Sequence, residues 1–241
     1  MESLELPYFA GPESAGPARA HAPFVLPARH ALALGTEADG LDELYVHPYR
    51  VLHRLRLLDA EAVAVRITTT GCERRLDMGG REVLERIFVP AASAGAVLEW
   101  EVLPARLASP ACLEPVELEL EWLSGLETVA GAATGLRGEA VGRRLLVWGA
   151  DGRGAAFEAS RTVSSAIDVM PPPPVPPGAA PRAPVVRCRL GVRLGAGEVF
   201  RLSVAAAPDG ARLEKALADL TNLPSLVQGS AAATRRRLAQ A

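Results

Sequence analysis

Val116-Glu-Leu-Glu-Leu-Glu-Trp122 alternates apolar and acidic residues without a break, so Val116, Leu118, Leu120 and Trp122 share one parity and three glutamates the other. Side chains along a strand point to opposite faces in turn, and this pattern predicts a strand with one packed and one wet face, the mark of antiparallel sheets. The same period runs through Val51–Leu57 and Ala62–Thr68. Turn residues join such runs into hairpins: Asp39-Gly40 between His30–Thr36 and Leu41–His47, Gly79-Gly80 between Cys72–Met78 and Arg81–Val89, and Asp151-Gly152 between Arg143–Gly149 and Gly154–Ser160. Glycine and aspartate there tolerate the positive φ that two-residue hairpin turns require. About twelve to fourteen strands result, more than an average single sheet holds. The expectation is an all-β domain built as a large antiparallel two-sheet sandwich.

Punctuation sets the boundaries. Residues 1–23, broken by Pro7, Pro12, Pro17 and Pro23, read as irregular, and the β-domain spans 24–207. The proline-rich run from Met170 to Pro184 predicts a stiff, exposed loop inside that domain, because strand signals resume at Val185–Leu194 and Val199–Ala206. Residues 208–241 change period. Leu213, Ala216, Leu217 and Leu220 have the spacing of an amphipathic helix with Asp209 as its cap, and Pro224 restarts a weaker helical run ending in Arg235-Arg-Arg-Leu238. Such an apolar helical face must pack back on the sheets or on a further domain. The chain reads as a β-domain plus the start of something else.

Composition narrows the function classes. The 241 residues are 49% hydrophobic, enough for one sizeable core. A formal charge of −2 gives no reason to expect nucleic acid or an anionic membrane as partner. Glu2 and Glu5 stand where a secretory signal needs basic residues, and apolar runs such as Leu145–Ala150 are too short to span a bilayer, so a soluble cytoplasmic protein is expected. Cys72, Cys112 and Cys188 are far apart and odd in number, which implies no disulfide framework.

Candidate chemistry is sparse. Glu117, Glu119 and Glu121 read as the solvated side of a strand, and Glu99 and Glu101 around Trp100 read the same way. The histidines form no metal-binding motif, no glycine-rich phosphate loop opens a helix, and no serine lies in a Gly-x-Ser-x-Gly context; no cofactor is expected. His47-Pro-Tyr-Arg50 is the most polar and aromatic corner. His47, Tyr49 and Arg50 are therefore the candidates for contact with a ligand or another domain, since Tyr and Arg can stack on and hydrogen-bond a sugar or a protein surface. The structural alternative is a strand corner packed on itself.

Phe24-Val-Leu-Pro-Ala-Arg-His-Ala-Leu-Ala-Leu-Gly, the Asp-Gly turn, and Asp42-Glu-Leu-Tyr-Val-His-Pro-Tyr-Arg-Val-Leu together resemble the N-terminal region of bacterial glycogen-debranching-like and glucoamylase-like glycoside hydrolases. Arg81–Pro90, Ala96–Val102 and Val116–Trp122 look like its continuation, and the similarity covers most of residues 24–206. The resemblance implies a galactose-mutarotase-like super-sandwich that precedes a linker helix and an α/α barrel carrying the catalytic carboxylates. Residues 209–241 look like that linker. No catalytic residue of the family has a matching segment here. The expected role is a non-catalytic N-terminal domain that braces a helical catalytic domain or subunit. Two alternatives stand beside it. One is a free-standing carbohydrate-binding module for α-glucan, using aromatics among Tyr45, Tyr49, Trp100, Trp122 and Trp148. The other is an interaction protein that docks a partner, or dimerises, through its C-terminal helices.

Overall fold

Every one of the expected alternating runs pairs with a neighbour in antiparallel register. The computed structural model describes residues 14–68, 71–90, 93–104, 114–128, 131–133, 135–170 and 184–223. Its strands begin with β1 (Ser14–Pro17), β2 (Pro23–Pro27), β3 (Ala31–Thr36), β4 (Gly40–Val46), β5 (Tyr49–Leu57) and β6 (Glu61–Ile67). They continue with β7 (Gly71–Met78), β8 (Arg81–Phe88), β9 (Gly95–Val102), β10 (Val116–Ser124), β11 (Glu127–Thr128) and β12 (Gly131–Ala132). The last are β13 (Arg137–Val141), β14 (Arg144–Trp148), β15 (Gly154–Ala159), β16 (Ser164–Met170), β17 (Val185–Leu194) and β18 (Val199–Ala207), followed by helix α1 (Gly210–Thr221).

These strands form two antiparallel sheets, so the fold is an all-β sandwich. The first sheet runs β1-β6-β7-β8-β9-β18-β15-β14-β13. The second runs β16-β17-β10-β5-β4-β3-β2, with β11 and β12 appended beside β5. The three expected hairpins are present as β3–β4, β7–β8 and β14–β15. Two differences stand at the N-terminal end. Ser14–Pro17, expected to be irregular, pairs with β6 at the edge of the first sheet, and β2 already begins at Pro23. Prolines tolerated at sheet edges hide such strands from a sequence reading. The proline-rich loop, apart from its flanks, and the helical run after Pro224 lie outside the described residues.

Inward parity fills the space between the sheets. Trp100 and Trp122 are both fully buried, Trp100 stacked on Phe200 at 5.8 Å and Trp122 tilted against Phe157 at 5.0 Å between ring centroids. Glu99 and Glu101 depart from the solvated reading. Glu99 is buried and ion-pairs with Arg201 at 2.7 Å, while Glu101 joins Glu73 in holding the buried Arg86 at 3.0 and 2.9 Å. Strand β9 lies mid-sheet with both faces covered, so its polar positions must be paired there and cannot be hydrated.

The sheets are also joined by a polar bridge. Arg74 on β7 pairs with Glu85 at 2.6 Å, and the indole Nε1 of Trp100 donates to the other Glu85 oxygen at 3.0 Å. The guanidinium then reaches the second sheet, donating to the carbonyls of Glu37 and Ala38 in the β3–β4 turn at 3.3 and 2.6 Å. Gly40 in that turn has φ of +87°, and a Cβ there would lie 2.4 Å from the Arg74 guanidinium. Glycine is required twice over, by backbone conformation and by this approach.

Helix α1 answers where its apolar face goes. Asp209 caps it by accepting from the Arg212 backbone N–H at 2.9 Å. Leu213, Ala216, Leu217 and Leu220 then form a second apolar cluster with Phe88, Val97, Ala156, Ala205 and Ala207 on the outer side of the first sheet. Contact through α1 with any partner would have to use its polar side, where Glu214 already pairs with Arg144 at 2.8 Å. No described helix is long and apolar enough to cross a membrane.

Two predictions follow from this packing. Arg74→Met leaves the Glu85 carboxylate buried without its cation, a loss of about 3–5 kcal/mol in urea unfolding, whereas Glu121→Gln, at a solvent-screened pair with Arg189, leaves the unfolding midpoint essentially where it was. Cys72 and Cys188 are fully buried, and burial pushes the Cys188 thiol up to about 12 and the Cys72 thiol higher still. Peptide mapping after iodoacetamide treatment is expected to find both unmodified in native protein and both modified in denaturant; native modification of either contradicts the packing.

Candidate functional site

The β4–β5 hairpin carries the candidate corner, and its geometry separates the three residues named from sequence. Val46 pairs with Tyr49 and Tyr45 with Arg50, so His47-Pro48 is a two-residue turn with His47 exposed at its tip. Tyr49 points inward, 8% exposed, and the Arg153 guanidinium covers its ring at 5.8 Å. Arg50 points the opposite way, to the outer face of the second sheet. The structure therefore does not bring His47, Tyr49 and Arg50 onto one surface.

Arg50 gathers a different set. It pairs with Glu43 on β4 and, at 3.4 Å, with Glu127 on β11. Tyr45 donates its hydroxyl to the other Glu43 oxygen at 2.7 Å. His53, opposite Glu43 in register, completes the cluster. Arg50 and His53 are three apart and would face opposite ways on a regular strand. A register shift between Leu44 and Tyr45 leaves Val51 as an extra residue, so Val51 and Leu52 are both buried and His53 returns to the Arg50 face. Arg54, with φ of +51°, marks a second irregularity that keeps Arg56 on that face, paired with Asp42 at 2.8 Å.

Electrostatics here are those of a half-buried array in which three carboxylates, Glu43, Glu127 and Asp42, face two guanidiniums, Arg50 and Arg56. Burial pushes the His53 imidazole below its ordinary value, and the positive charge of Arg50 adds to that, opposed by Glu127 and Glu43. Burial first, then the Glu43 carboxylate, raises the Tyr45 phenol. Gly125 lies over His53, where a Cβ would stand 3.2 Å from Nε2. Two enclosed nitrogens, Arg50 Nε and His53 Nε2, have no hydrogen-bond partner among the described residues.

What this array can do is bind, by hydrogen bonds and ring contact; it lacks a paired nucleophile and base. No group of three or more His, Cys, Asp or Glu side chains among the described residues is placed to hold a metal. A mutarotase-like site would need histidines converging with a carboxylate; His53 lies near Glu43 and Glu127, while His21 and His47 are exposed on other segments. The aromatics that a free-standing binding module would need are dispersed. Trp100, Trp122 and Tyr49 are core, while Tyr45 and Trp148 lie on different sheets. Tyr45 and Glu43 were findable from sequence, because a two-residue turn at His47-Pro48 sets Tyr45 against Arg50. Glu127 was not, since it arrives from a distant segment.

A bacterial glucoamylase, crystallised with acarbose, superposes over 89% of this chain with a TM-score of 0.54 and 11% sequence identity. The match takes in 36% of that glucoamylase chain, so this chain spans about a third of its relative's length. At that identity the likeness shows the fold alone. No protein-family model and no curated protein sequence matches the chain.

His53 provides the test of this geometry. Its imidazole resonance is expected to titrate below 6.5. A neutral buried imidazole contributes stability that is complete above 6.5 and is lost as pH falls through the lowered folded value, because the unfolded chain binds the proton first. His53→Gln should remove that part of the pH dependence of urea unfolding, and a native midpoint above 6.5 by NMR would contradict the burial.

Proposed function

We propose that this chain is the non-catalytic N-terminal β-sandwich domain of a carbohydrate-active enzyme of the glycogen-debranching or glucoamylase kind, acting in the cytoplasm to brace a helical catalytic domain. The observation that carries this reading is the glucoamylase superposition, which takes in nearly the whole of this chain but only 36% of that one. The resemblance of Phe24–Leu52 to the start of such enzymes supports it independently. Catalysis then resides in the partner domain, and the sandwich supplies rigidity and a docking surface. A free-standing glycan-binding module fits less well, because the large aromatics fill the core.

Two assays test the reading. The isolated chain is expected to release no sugar from maltooligosaccharides or glycogen, and measurable turnover would overturn its non-catalytic role. The native protein, recovered from source cells with an antibody against this chain, is expected to carry α-glucan hydrolase activity on the same polypeptide or a tightly bound subunit. Recovery free of such activity overturns the parent enzyme.

A further inference from the structure

The outer face of the first sheet changes character part-way along its central strands. On β18 the residues facing outward run Ala207, Ala205, Ser203 and Arg201, and only the alanine end lies in the apolar cluster beneath α1. The helix ends at Thr221, and there the face opens into a cavity of about 340 Å³, within the range of small-molecule pockets. Its walls include Glu99 of β9, Arg201 and Ser203 of β18, Glu158 of β15, Arg143 and Thr221.

Much of that polar lining is itself buried and held in place. Glu99 is 0% exposed and pairs with Arg201, whose Nη1 donates to the Leu223 carbonyl at 2.7 Å and so ties the end of α1 to the sheet. Ser203 is 2% exposed, yet its hydroxyl has no hydrogen-bond partner among the described residues. That oxygen is not sealed off as Arg50 Nε and His53 Nε2 are; it faces the cavity. Register sets Ser203 beside Glu158. Of the Glu158 oxygens, Oε2 is held by Arg144 at 3.2 Å, while Oε1 lies 3.8 Å from Arg143 Nη2, too far for a hydrogen bond. Buried polar groups as a rule have partners, so this hydroxyl and carboxylate oxygen, side by side on a cavity wall, mark where a ligand's polar groups belong.

Charge and hydrogen-bonding capacity select the ligand. Four charged groups line the cavity, Glu99 and Glu158 against Arg143 and Arg201, so its wall favours neither an anion nor a cation. Arg144 and Glu214, paired beside it at 2.8 Å, add one charge of each sign. The Glu158 oxygen can only accept, Arg143 Nη2 can only donate, and the Ser203 hydroxyl does either. Neighbouring hydroxyls on one small molecule meet all three demands.

We infer that this cavity binds a small uncharged polyol, of the size of a sugar residue, whose adjacent hydroxyls engage Ser203, Glu158 and Arg143. The site needs no catalytic domain, so it stands or falls independently of the function proposed above.

Amide chemical shifts of the isotope-labelled 241-residue chain, titrated separately with D-glucose, maltotriose, spermidine and inorganic phosphate, test the site. Both sugars are expected to move the Glu158, Ser203 and Thr221 amides saturably, with Kd on the order of 1–10 mM. Equal affinity for the two marks a free sugar as the ligand, and a gain of about tenfold for maltotriose marks the end of a glycan. Ser203→Ala and Glu158→Gln are each expected to weaken sugar binding about fivefold to tenfold, while Val25→Thr, at an exposed position on the second sheet, leaves it unchanged. No saturable shift with either sugar, saturation by spermidine or phosphate in their place, or sugar binding that both cavity variants leave at native strength overturns the site.

Discussion

A two-layer β-sandwich encloses one core but presents two outer faces, and α1 is the one described helix this chain has to cover them. That constraint decides how the rest of the molecule can be used. Helix α1 lies on the first sheet because β9, β15 and β18 offer small residues, Ala156, Ala205 and Ala207, over which Leu213, Leu217 and Leu220 fit closely. Gly95 marks how close the approach is: a Cβ there would stand 2.6 Å from Leu220 Cδ1 and closer still to the Val204 carbonyl. The first sheet is thereby buried on both sides in its middle, which in turn forces Arg86, Glu99 and Arg201 into ion pairs.

The two sheets are held in fixed relation by more than apolar contact. Arg74 serves Glu85 on its own sheet and two carbonyls of the β3–β4 turn on the other. Apolar packing alone tolerates sliding of one layer over another, while a buried guanidinium with three acceptors at set positions does not. The β3–β4 hairpin is consequently anchored at one end to the first sheet. Its outward leucines and the neighbouring Arg50 cluster are presented on a rigid support.

The strand pattern made the layer architecture legible: β10, β7–β8 and β14–β15 fall where alternation and turn residues put them, and Trp100 and Trp122 are core as their parity requires. The fate of Glu99 was not legible, because its burial depends on what packs over the outer side of β9. Period two tells which residues share a face and is silent about which face is covered. The site suffered from the same blindness in a different form. His47, Tyr49 and Arg50 are contiguous in sequence, but alternation sends Tyr49 and Arg50 apart, and only the bulge at Val51 brings His53 to Arg50. Bulges leave little trace in composition, and Glu127 lies 77 positions from Arg50.

The bulges also bear on what kind of site this is. A regular β5 would have turned either His53 or Arg50 into the core. Instead the strand accepts an extra residue at Val51 and a positive φ at Arg54, both unfavourable locally, to hold Arg50, His53 and Arg56 on one outer face. The array so assembled sets Arg50 and Arg56 against three carboxylates, Glu43, Glu127 and Asp42, one more negative than positive charge, which disfavours a further anion there.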